Sequence, residues 1–252
     1  MVNLPTQMYD IAVSTADQIM FAHVVDRANE DIELDVAALL IGETNSDGIN
    51  VAHYLAQLDA FAEAARRSIS AADEPFGAIR AINRVLFGEM GFRGNEDDYY
   101  DPRNSFLHEV IDRRIGIPIS LSIVYMEVAR RVGIRVQGLC FPGHFLVRHD
   151  QGETCLIIDP FYMGLILDPE QLLERLRRAA GRDATLSPEM FEPADKRQIL
   201  ARMLTNLAEI FQRQGDLVRA IDALERMRVL VPDDASVAHD LERLRARVSE
   251  LN

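Results

Sequence analysis

The fold of this chain is decided by residues 116–160, GIPISLSIVYMEVARRVGIRVQGLCFPGHFLVRHDQGETCLIIDP. The first part is typical of a helix, because Pro118 lies near the first turn, where no N–H is needed, and Gly133 lies at the expected stop. After Gly133 the apolar period changes to two in IRVQGLCF, HFLVRH and TCLIIDP, which predicts three short strands. The intervening DQGE predicts a hairpin between the last two strands. The stretch therefore predicts an α+β fold with an antiparallel sheet.

Helices are predicted on both sides of this stretch. The apolar spacing in residues 7–70 is typical of helices, and Asn50 is the expected N-cap of one of them. The segment EPFGAIRAINRVLFGEMGF predicts another helix, which Gly88 and Gly91 should end or break. RGNEDDYYDPRNS has the composition of a loop. SFLHEVIDRR predicts a short helix capped by Ser105, and DPEQLLERLRRAAG predicts one beyond the sheet.

The C-terminal part has the spacing of a helix–turn–helix repeat of 34 residues, the tetratricopeptide type. Six residues match its packing positions: Leu207, Ala208, Phe211, Ala220, Leu224 and Pro232. The dipeptide GD at 215–216 falls in the turn, and residues 235–250 predict a following helix. An ordinary helical hairpin is the alternative. In either case one such unit cannot bury its own apolar face, so we expect it to pack on the preceding domain or on a partner.

Three regions are predicted along the chain. Residues 1–95 form a helical N-terminal region, residues 96–190 form a core of helix and antiparallel sheet, and residues 195–252 form the helical tail.

The composition limits the class of protein. The chain has 252 residues, of which 48% are hydrophobic, and this predicts a packed core. The net charge of −13 argues against nucleic-acid binding, which requires clustered Lys and Arg. No apolar run is long enough for a membrane span, and the first residues, MVNLPTQMYDIAV, lack the features of a secretory signal. Two cysteines suit neither a disulfide framework nor a four-thiolate zinc site, so we expect a cytoplasmic location.

An imidazole and a carboxylate are predicted to meet on the hairpin. If its turn centres on Gln151 and Gly152, His144 lies directly opposite Asp159, with Cβ atoms about 5 Å apart. A carboxylate in that position fixes the imidazole tautomer and raises its basicity. This is the base and its orienting group in a nucleophilic triad.

Neither cysteine is well placed to complete the triad. Cys155 is four residues from Asp159 along the strand, roughly 13 Å away, and is expected opposite Arg148. Cys140 is close to His144 in sequence, but the segment FPG intervenes. A small buried hydrophobic residue is the alternative role for each.

The segments YYDPRNSFLHEVIDRRIGIPISLSIVYMEVARRVGI, GLCFPGHFLVRH and IIDPF resemble a bacterial transglutaminase-like family named after the SirB operon. The resemblance covers roughly residues 30–240, and members of that family join such a core to a tail of tetratricopeptide type. It implies a papain-like arrangement in which a Cys opens a helix and a His and an Asp lie on the following strands. His144 matches the His position and Asp159 the Asp position. The Cys position falls in GIPIS, where this chain has Pro118 or a neighbour.

Three interpretations of the site follow. In the first, the chain is a pseudoenzyme that binds a protein or peptide segment. In the second, Ser120 replaces the Cys in a Ser–His–Asp triad, although a Ser in a first turn is commonly a cap. In the third, Cys140 reaches His144. The second and third interpretations predict a hydrolase or acyltransferase that acts on peptide or isopeptide amides.

Further residues are candidates for the cleft. The predicted binding residues are Tyr99, Tyr100, Asn104, Ser105, Pro118 and Phe145; the loop residues among them could instead anchor the next helix. We expect no cofactor and no metal, because His144 and His149 face opposite sides of a strand and no phosphate-binding glycine loop is present. The expected partner is a protein or peptide, with no nucleic acid and no membrane, and the sequence gives no oligomeric state.

Overall fold

A computed structural model describes residues 15–45, 48–69 and 76–251 of the chain. Its α-helices are α1 (Thr15–Val25), α2 (Leu34–Ile41), α3 (Val51–Arg67), α4 (Gly77–Asn83), α5 (Leu107–Arg113), α6 (Pro118–Val132), α7 (Pro169–Ala180), α8 (Lys196–Gln214), α9 (Leu217–Leu230) and α10 (Ala235–Leu251). Its strands are β1 (Arg93–Gly94), β2 (Ile115–Gly116), β3 (Gln137–Leu139), β4 (Leu146–Gln151), β5 (Thr154–Asp159) and β6 (Leu165–Leu167). The part of the predicted N-terminal helical region before residue 15 lies outside the described residues.

The main sheet is antiparallel, in the order β3-β4-β5-β6. Its two faces alternate along β5, because successive side chains of a strand point to opposite sides. Ile158 joins the main hydrophobic core, which includes residues of α6, and Ile157 joins a smaller cluster with Leu172 and Leu176 of α7. The sheet is therefore packed between α6 and α7. The short pair β1–β2 is parallel and separate.

Helix α6 is the central helix of the core. Every residue from Pro118 to Ala129 is buried. Pro118 occupies the first helical position, where its missing N–H leaves no bond unmade. The helix ends at Gly133, whose φ of +96° is a left-handed conformation that glycine adopts without steric cost.

An ionic cluster joins α6 to the N-terminal helices. Arg131 of α6 lies 2.5 Å from Asp35 of α2, 2.7 Å from Asp59 of α3 and 2.7 Å from Glu127 of its own helix. Arg130 contacts the same buried carboxylates of Asp35 and Glu127. Five charged side chains are thus paired where α2, α3 and α6 meet.

The C-terminal helices pack on the rest of the molecule. Residues of α8, α9 and α10 belong to the same hydrophobic core as residues of α1–α6. Phe211 of α8, for example, lies 6.4 Å from Phe106, between ring centroids. Gly215 makes the turn between α8 and α9 with a φ of +77°, and Asp216 caps α9 through the backbone N–H of Arg219. The apolar face of the helical tail is therefore covered by the preceding part of the chain.

The predicted α+β class is confirmed, as are the helical ends and the antiparallel sheet. Several local predictions differ from the structure. Strand β6 was not predicted, and the strand predicted from IRVQGLCF is reduced to three residues. Ser105 does not cap α5, because Phe106 occupies the N-cap position and the buried Ser105 hydroxyl has no hydrogen-bond partner. Helix α4 continues as a π-helical turn through Gly88, so Gly88 does not end it, whereas the predicted end at Gly91 agrees with the structure.

In the part of the chain that is described, no helix is both long and apolar enough to cross a membrane.

Candidate functional site

The predicted pair of His144 and Asp159 is hydrogen-bonded. Nε2 of His144 lies 3.0 Å from Oδ1 and 2.9 Å from Oδ2 of Asp159. Asp159 is fully buried, and the His144 side chain is 14% exposed. An ionised carboxylate only accepts hydrogen bonds, so Nε2 carries a proton and, in the neutral ring, Nδ1 presents a lone pair. Within the described residues, no second hydrogen bond to this imidazole is formed.

The pair forms by a different route from the predicted one. Gln151 pairs with Thr154, so the hairpin turn centres on Gly152 and Glu153, and the predicted register is wrong by two residues. His144 therefore lies before the first residue of β4, outside the paired part of the hairpin. The ring reaches the carboxylate from the turn before the strand, and not from a directly opposed strand position.

Gly143 sets the position of this turn. Its φ is +68°, and a Cβ atom there would lie 2.7 Å from the Cβ of Ala179 in α7. Both the backbone conformation and the close approach therefore require glycine. The next residue, His144, donates its backbone N–H to the carbonyl of Phe141 at 3.0 Å, which closes the turn.

Asp159 also organises the chain that follows it. Its Oδ1 accepts the backbone N–H groups of Phe161 at 3.1 Å and of Tyr162 at 3.4 Å, so Asp159 caps the 3₁₀ turn Pro160–Tyr162. Its Oδ2 lies 3.2 Å from Nη2 of Arg175 in α7. One buried carboxylate thus joins the imidazole, the turn and α7.

Arg175 and Tyr162 are parts of the site that the sequence interpretation missed. The Tyr162 ring is stacked on His144 at 6.3 Å between centroids, and the Arg175 guanidinium lies 4.7 Å from the centre of the same ring. Burial and a hydrogen bond with Glu96 raise the pKa of Tyr162. A signal for Arg175 exists in the sequence, because it lies three residues after Leu172, at the spacing of the apolar face of α7.

The start of α6 carries no nucleophile directed at His144. Pro118 is buried in the first turn. Ser120 is also buried, and its Oγ donates to the carbonyl oxygen of Asn104 at 2.6 Å and accepts the backbone N–H of Ile117 at 3.1 Å. The hydroxyl is therefore engaged with the backbone of the preceding loop.

The structure does not bring either cysteine to the imidazole. The charged neighbours that act on the Cys140 thiol are Arg202 and Asp195, at the tail side of the molecule, and burial raises the pKa of this thiol. Cys155 is opposite Asp150, so the expected pairing with Arg148 is wrong. Burial and the hydrogen bond with Asp150 raise the pKa of Cys155 too. A raised thiol pKa lowers the fraction of reactive thiolate.

The two predicted tyrosines extend the site. Tyr99 lies edge-on to Phe161 at 6.3 Å and to Tyr100 at 5.3 Å, between ring centroids. Both tyrosines are partly exposed. The guanidinium of Arg213 lies 4.4 Å from the centre of the Tyr100 ring. The rings Tyr100, Tyr99, Phe161, Tyr162 and His144 form a continuous series of contacts, which we call the aromatic row.

The other predicted binding residues are buried. Asn104 donates its amide to the carbonyl of Asp98 at 2.7 Å and so holds the loop that carries the tyrosines. Ser105 and Phe145 are also buried, and a Cβ atom on Gly138 would lie 2.7 Å from the Phe145 ring. Pro118 is buried as well, so these four predicted binding residues have little surface to offer a ligand.

Among the described residues, no group of three or more His, Cys, Asp or Glu side chains is arranged to hold a metal ion. Nδ1 of His149 donates to the carbonyl oxygen of Arg135, 2.8 Å away.

Comparison with known proteins relates this geometry to a family. Residues 52–205 match the family model described as transglutaminase-like superfamily. A UPF0162 protein of Xylella fastidiosa (strain 9a5c) is 37% identical over 215 residues, which cover 84% of this chain and 76% of the relative. A UPF0162 protein of Vibrio cholerae is 31% identical over 157 residues, which cover 62% of this chain and 58% of the relative.

A eukaryotic protein shares part of the same region. F-box only protein 21 of Mus musculus is 34% identical over 168 residues, which cover 63% of this chain and 26% of the mouse protein.

Proposed function

The chain belongs to the transglutaminase-like superfamily, and we propose that within it this protein is a non-catalytic, cytoplasmic module that binds a protein or peptide segment. The resemblance to a bacterial family of this type is confirmed. The proposal on function rests on the site itself, because one fold hosts many activities.

The observation that carries the proposal is the set of atoms around the imidazole. Acyl transfer by a papain-like site requires a nucleophile within hydrogen-bonding reach of the base. In this chain α6 begins with Pro118, and the Ser120 hydroxyl is bound to Asn104 and Ile117. Within the described residues, the His144 ring has a hydrogen-bond partner on the Asp159 side alone.

A structural role accounts for the retained pair. Asp159 is hydrogen-bonded to His144, to two backbone N–H groups of the following turn and to Arg175. These contacts fix the turn that presents Tyr162, a residue that is 41% exposed. The His144–Asp159 pair can therefore serve a binding protein as a structural support for this turn, with no catalytic role.

The aromatic row supplies a surface for an extended segment. Aromatic side chains combine a large contact area with few rotatable bonds, and they are enriched where proteins bind one another. Tyr100, Tyr99 and Tyr162 are partly exposed, and the neighbouring Met163 is 63% exposed. We propose that this surface binds a peptide whose apolar side chains lie on the rings.

The tail is proposed to be a single tetratricopeptide-type unit. Helices α8 and α9 are joined by the turn at Gly215 and Asp216, and Ala220 and Leu224 are buried, in agreement with the spacing of that repeat. An ordinary helical hairpin, the alternative, would bury the same two residues.

A peptide-display selection tests the proposal. Peptides that bind the full chain should lose at least about tenfold in affinity on Tyr162→Ala or Tyr99→Ala, because each substitution removes aromatic contact area. Val229→Ala, at an exposed position of α9, is the matched control and should leave binding unchanged. If the selected peptides bind the tyrosine variants as tightly as the unchanged chain, the aromatic row is not the binding surface.

The hydrolase or acyltransferase alternative is favoured by one observation: Nε2 of His144 faces Asp159, and Nδ1 forms no hydrogen bond with any described residue. Serine- and thiol-directed acylating probes distinguish the two functions. We expect no labelling that depends on His144. Labelling of Ser120 or Cys140 that disappears in His144→Ala would establish the enzyme and remove the non-catalytic proposal.

A further inference from the structure

A cavity of about 610 Å³ lies at the far end of α6 from the imidazole. It is lined by the last two turns of α6, the segment leading into β3, the start of α8, and Asn29 and Leu34. His144 precedes β4 at the end where Leu139 pairs with Leu146, whereas the cavity adjoins the opposite end of β3. None of its lining residues belongs to the aromatic row. The volume lies within the range of about 300–1,000 Å³ that is typical of small-molecule sites.

Part of the lining of this cavity is apolar. Five apolar side chains contribute to it, and we call them the apolar wall: Leu34, Met126, Ile134, Val136 and Ile199. Leu34 and Ile199 are buried and belong to the main core, so this wall is held by packing. An apolar ligand that covers these side chains gains about 25 cal/mol of binding free energy for each Å² of apolar surface removed from water.

The charged residues of the cavity favour an anion. Three cationic side chains line it, those of Arg130, Arg135 and Lys196, against two acidic ones, those of Glu127 and Asp195. The local balance is thus positive, in a chain whose net charge is −13. Glu127 is also paired with Arg131, a cation that does not line the cavity. Asp195 is occupied as the N-cap of α8, where it accepts the backbone N–H of Gln198 at 2.8 Å.

The three cations keep hydrogen-bond donors free. Lys196 donates to the carbonyls of Glu30 and Ile32, at 2.7 and 2.6 Å, which leaves one of its three N–H groups. Arg130 uses Nε and Nη2 for its carboxylate partners, which leaves Nη1. The exposed Arg135 guanidinium forms no hydrogen bond or ion pair with any described residue.

We propose that this cavity binds a small amphipathic anion, with an aliphatic body on the apolar wall and a carboxylate or phosphate head held by Arg135, Arg130 and Lys196. The site is separate from the aromatic row, so it stands whether or not that surface binds a peptide. Arg135 is the residue whose substitution tests the proposal best, because its guanidinium is free to make a bidentate contact with either head group.

Calorimetric titration of the full chain tests the site. The probes are decanoate, decyl phosphate and decyltrimethylammonium, each below its micellar concentration. We expect one equivalent of at least one of the two anions to bind, with no saturable binding of the cation. Whichever anion binds more tightly identifies the head group. Arg135→Gln should weaken binding about tenfold or more, because it removes charge-assisted hydrogen bonds. Arg177→Gln, at an exposed position of α7, is the matched control and should bind as the unchanged chain does.

A second variant addresses the apolar wall. Ala194 lines the cavity and is only partly buried, so Ala194→Leu fills space without removing a core side chain. It should weaken binding of the same anion. The proposal is overturned if neither anion binds at one site, if the cation binds equally well, or if Arg135→Gln and Arg177→Gln give the same affinity.

Discussion

Nη2 of Arg175 lies 3.2 Å from Oδ2 of Asp159. Nε2 of His144 lies 2.9 Å from the same carboxylate oxygen. The carboxylate is fully buried. Its charge is therefore balanced by a permanent cation, and the imidazole adds a hydrogen bond. This arrangement makes Asp159 a joint between β5 and α7 in addition to an orienting group for His144.

Loss of that joint should destabilise the fold. Asp159→Ala leaves Arg175, His144 and two backbone N–H groups without their acceptor, and we expect a loss of about 2–4 kcal/mol in the free energy of unfolding. Urea unfolding followed by circular dichroism measures this loss. Glu174→Ala, which breaks an exposed ion pair with Arg178 on the same helix, should cause no measurable change. Equal stabilities of the two variants would show that Asp159 is not a structural joint.

Two serines of α6 provide a second, closely matched test. Ser120 and Ser122 are both fully buried, but Ser120 is hydrogen-bonded to Asn104 and Ile117, whereas the Ser122 Oγ has no partner. Ser120→Ala should cost about 1–3 kcal/mol, because a buried N–H and a buried carbonyl lose their partner. Ser122→Ala should be neutral or slightly stabilising. Thermal unfolding compares the two variants, and a larger loss for Ser122→Ala would contradict the difference in hydrogen bonding between the two serines.

Stability should also depend on pH through Glu127. Burial and the negative charge of Asp35 raise the Glu127 pKa above its ordinary 4.5, whereas the bonds of Arg131 outweigh burial and lower the pKa of Asp35 below 3.8. The stabilising contribution of Glu127 is full below pH 4.5 and is lost as the pH rises through its folded pKa. That of Asp35 is present above pH 3.8 and is lost as the pH falls through its folded pKa.

Glu127→Gln isolates the first of these effects. The glutamine keeps an oxygen for the arginines but does not titrate. The free energy of unfolding of the variant minus that of the unchanged chain should therefore increase from pH 5 to pH 8. Urea unfolding at both pH values gives the difference. The exposed Glu63→Gln should show no such trend. A difference between Glu127→Gln and the unchanged chain that stays constant with pH would mean that Glu127 is charged throughout this range.

The sequence predicted those parts of the molecule that depend on local rules. The bounds of α6 follow from Pro118 and Gly133, and the α+β class follows from the change of apolar period after Gly133. The hairpin register did not follow, because the letters DQGE allow more than one turn and a shift of two residues preserves the apolar alternation of the strands. The meeting of His144 with its carboxylate survived that error, because the turn before β4 and not the ladder sets the position of the ring.

Long-range contacts were the part that the sequence could not supply. Arg175 is 16 positions from Asp159, and nothing in the local pattern of α7 says which carboxylate it meets. The same holds for Asp35, which pairs with arginines almost a hundred positions further along the chain. Such pairs depend on how helices and strands pack after they form.

A buried ion pair in the tail gives the last prediction. Arg226 of α9 is 2% exposed, contacts Asp222 at 3.2 Å and the carbonyl of Leu40 at 3.4 Å, and has its Nη2 without a partner. Removing one partner of a buried pair leaves an uncompensated charge, whereas replacing both with apolar side chains is often neutral or stabilising. We expect Arg226→Met alone to cost about 3–5 kcal/mol, because Asp222 is left buried, and burial already raises the pKa of this carboxyl. The double variant Asp222→Leu with Arg226→Met should recover most of that loss. Urea unfolding of the single and double variants measures both losses. A double variant no more stable than Arg226→Met would show that the loss does not come from the unpaired charge of Asp222.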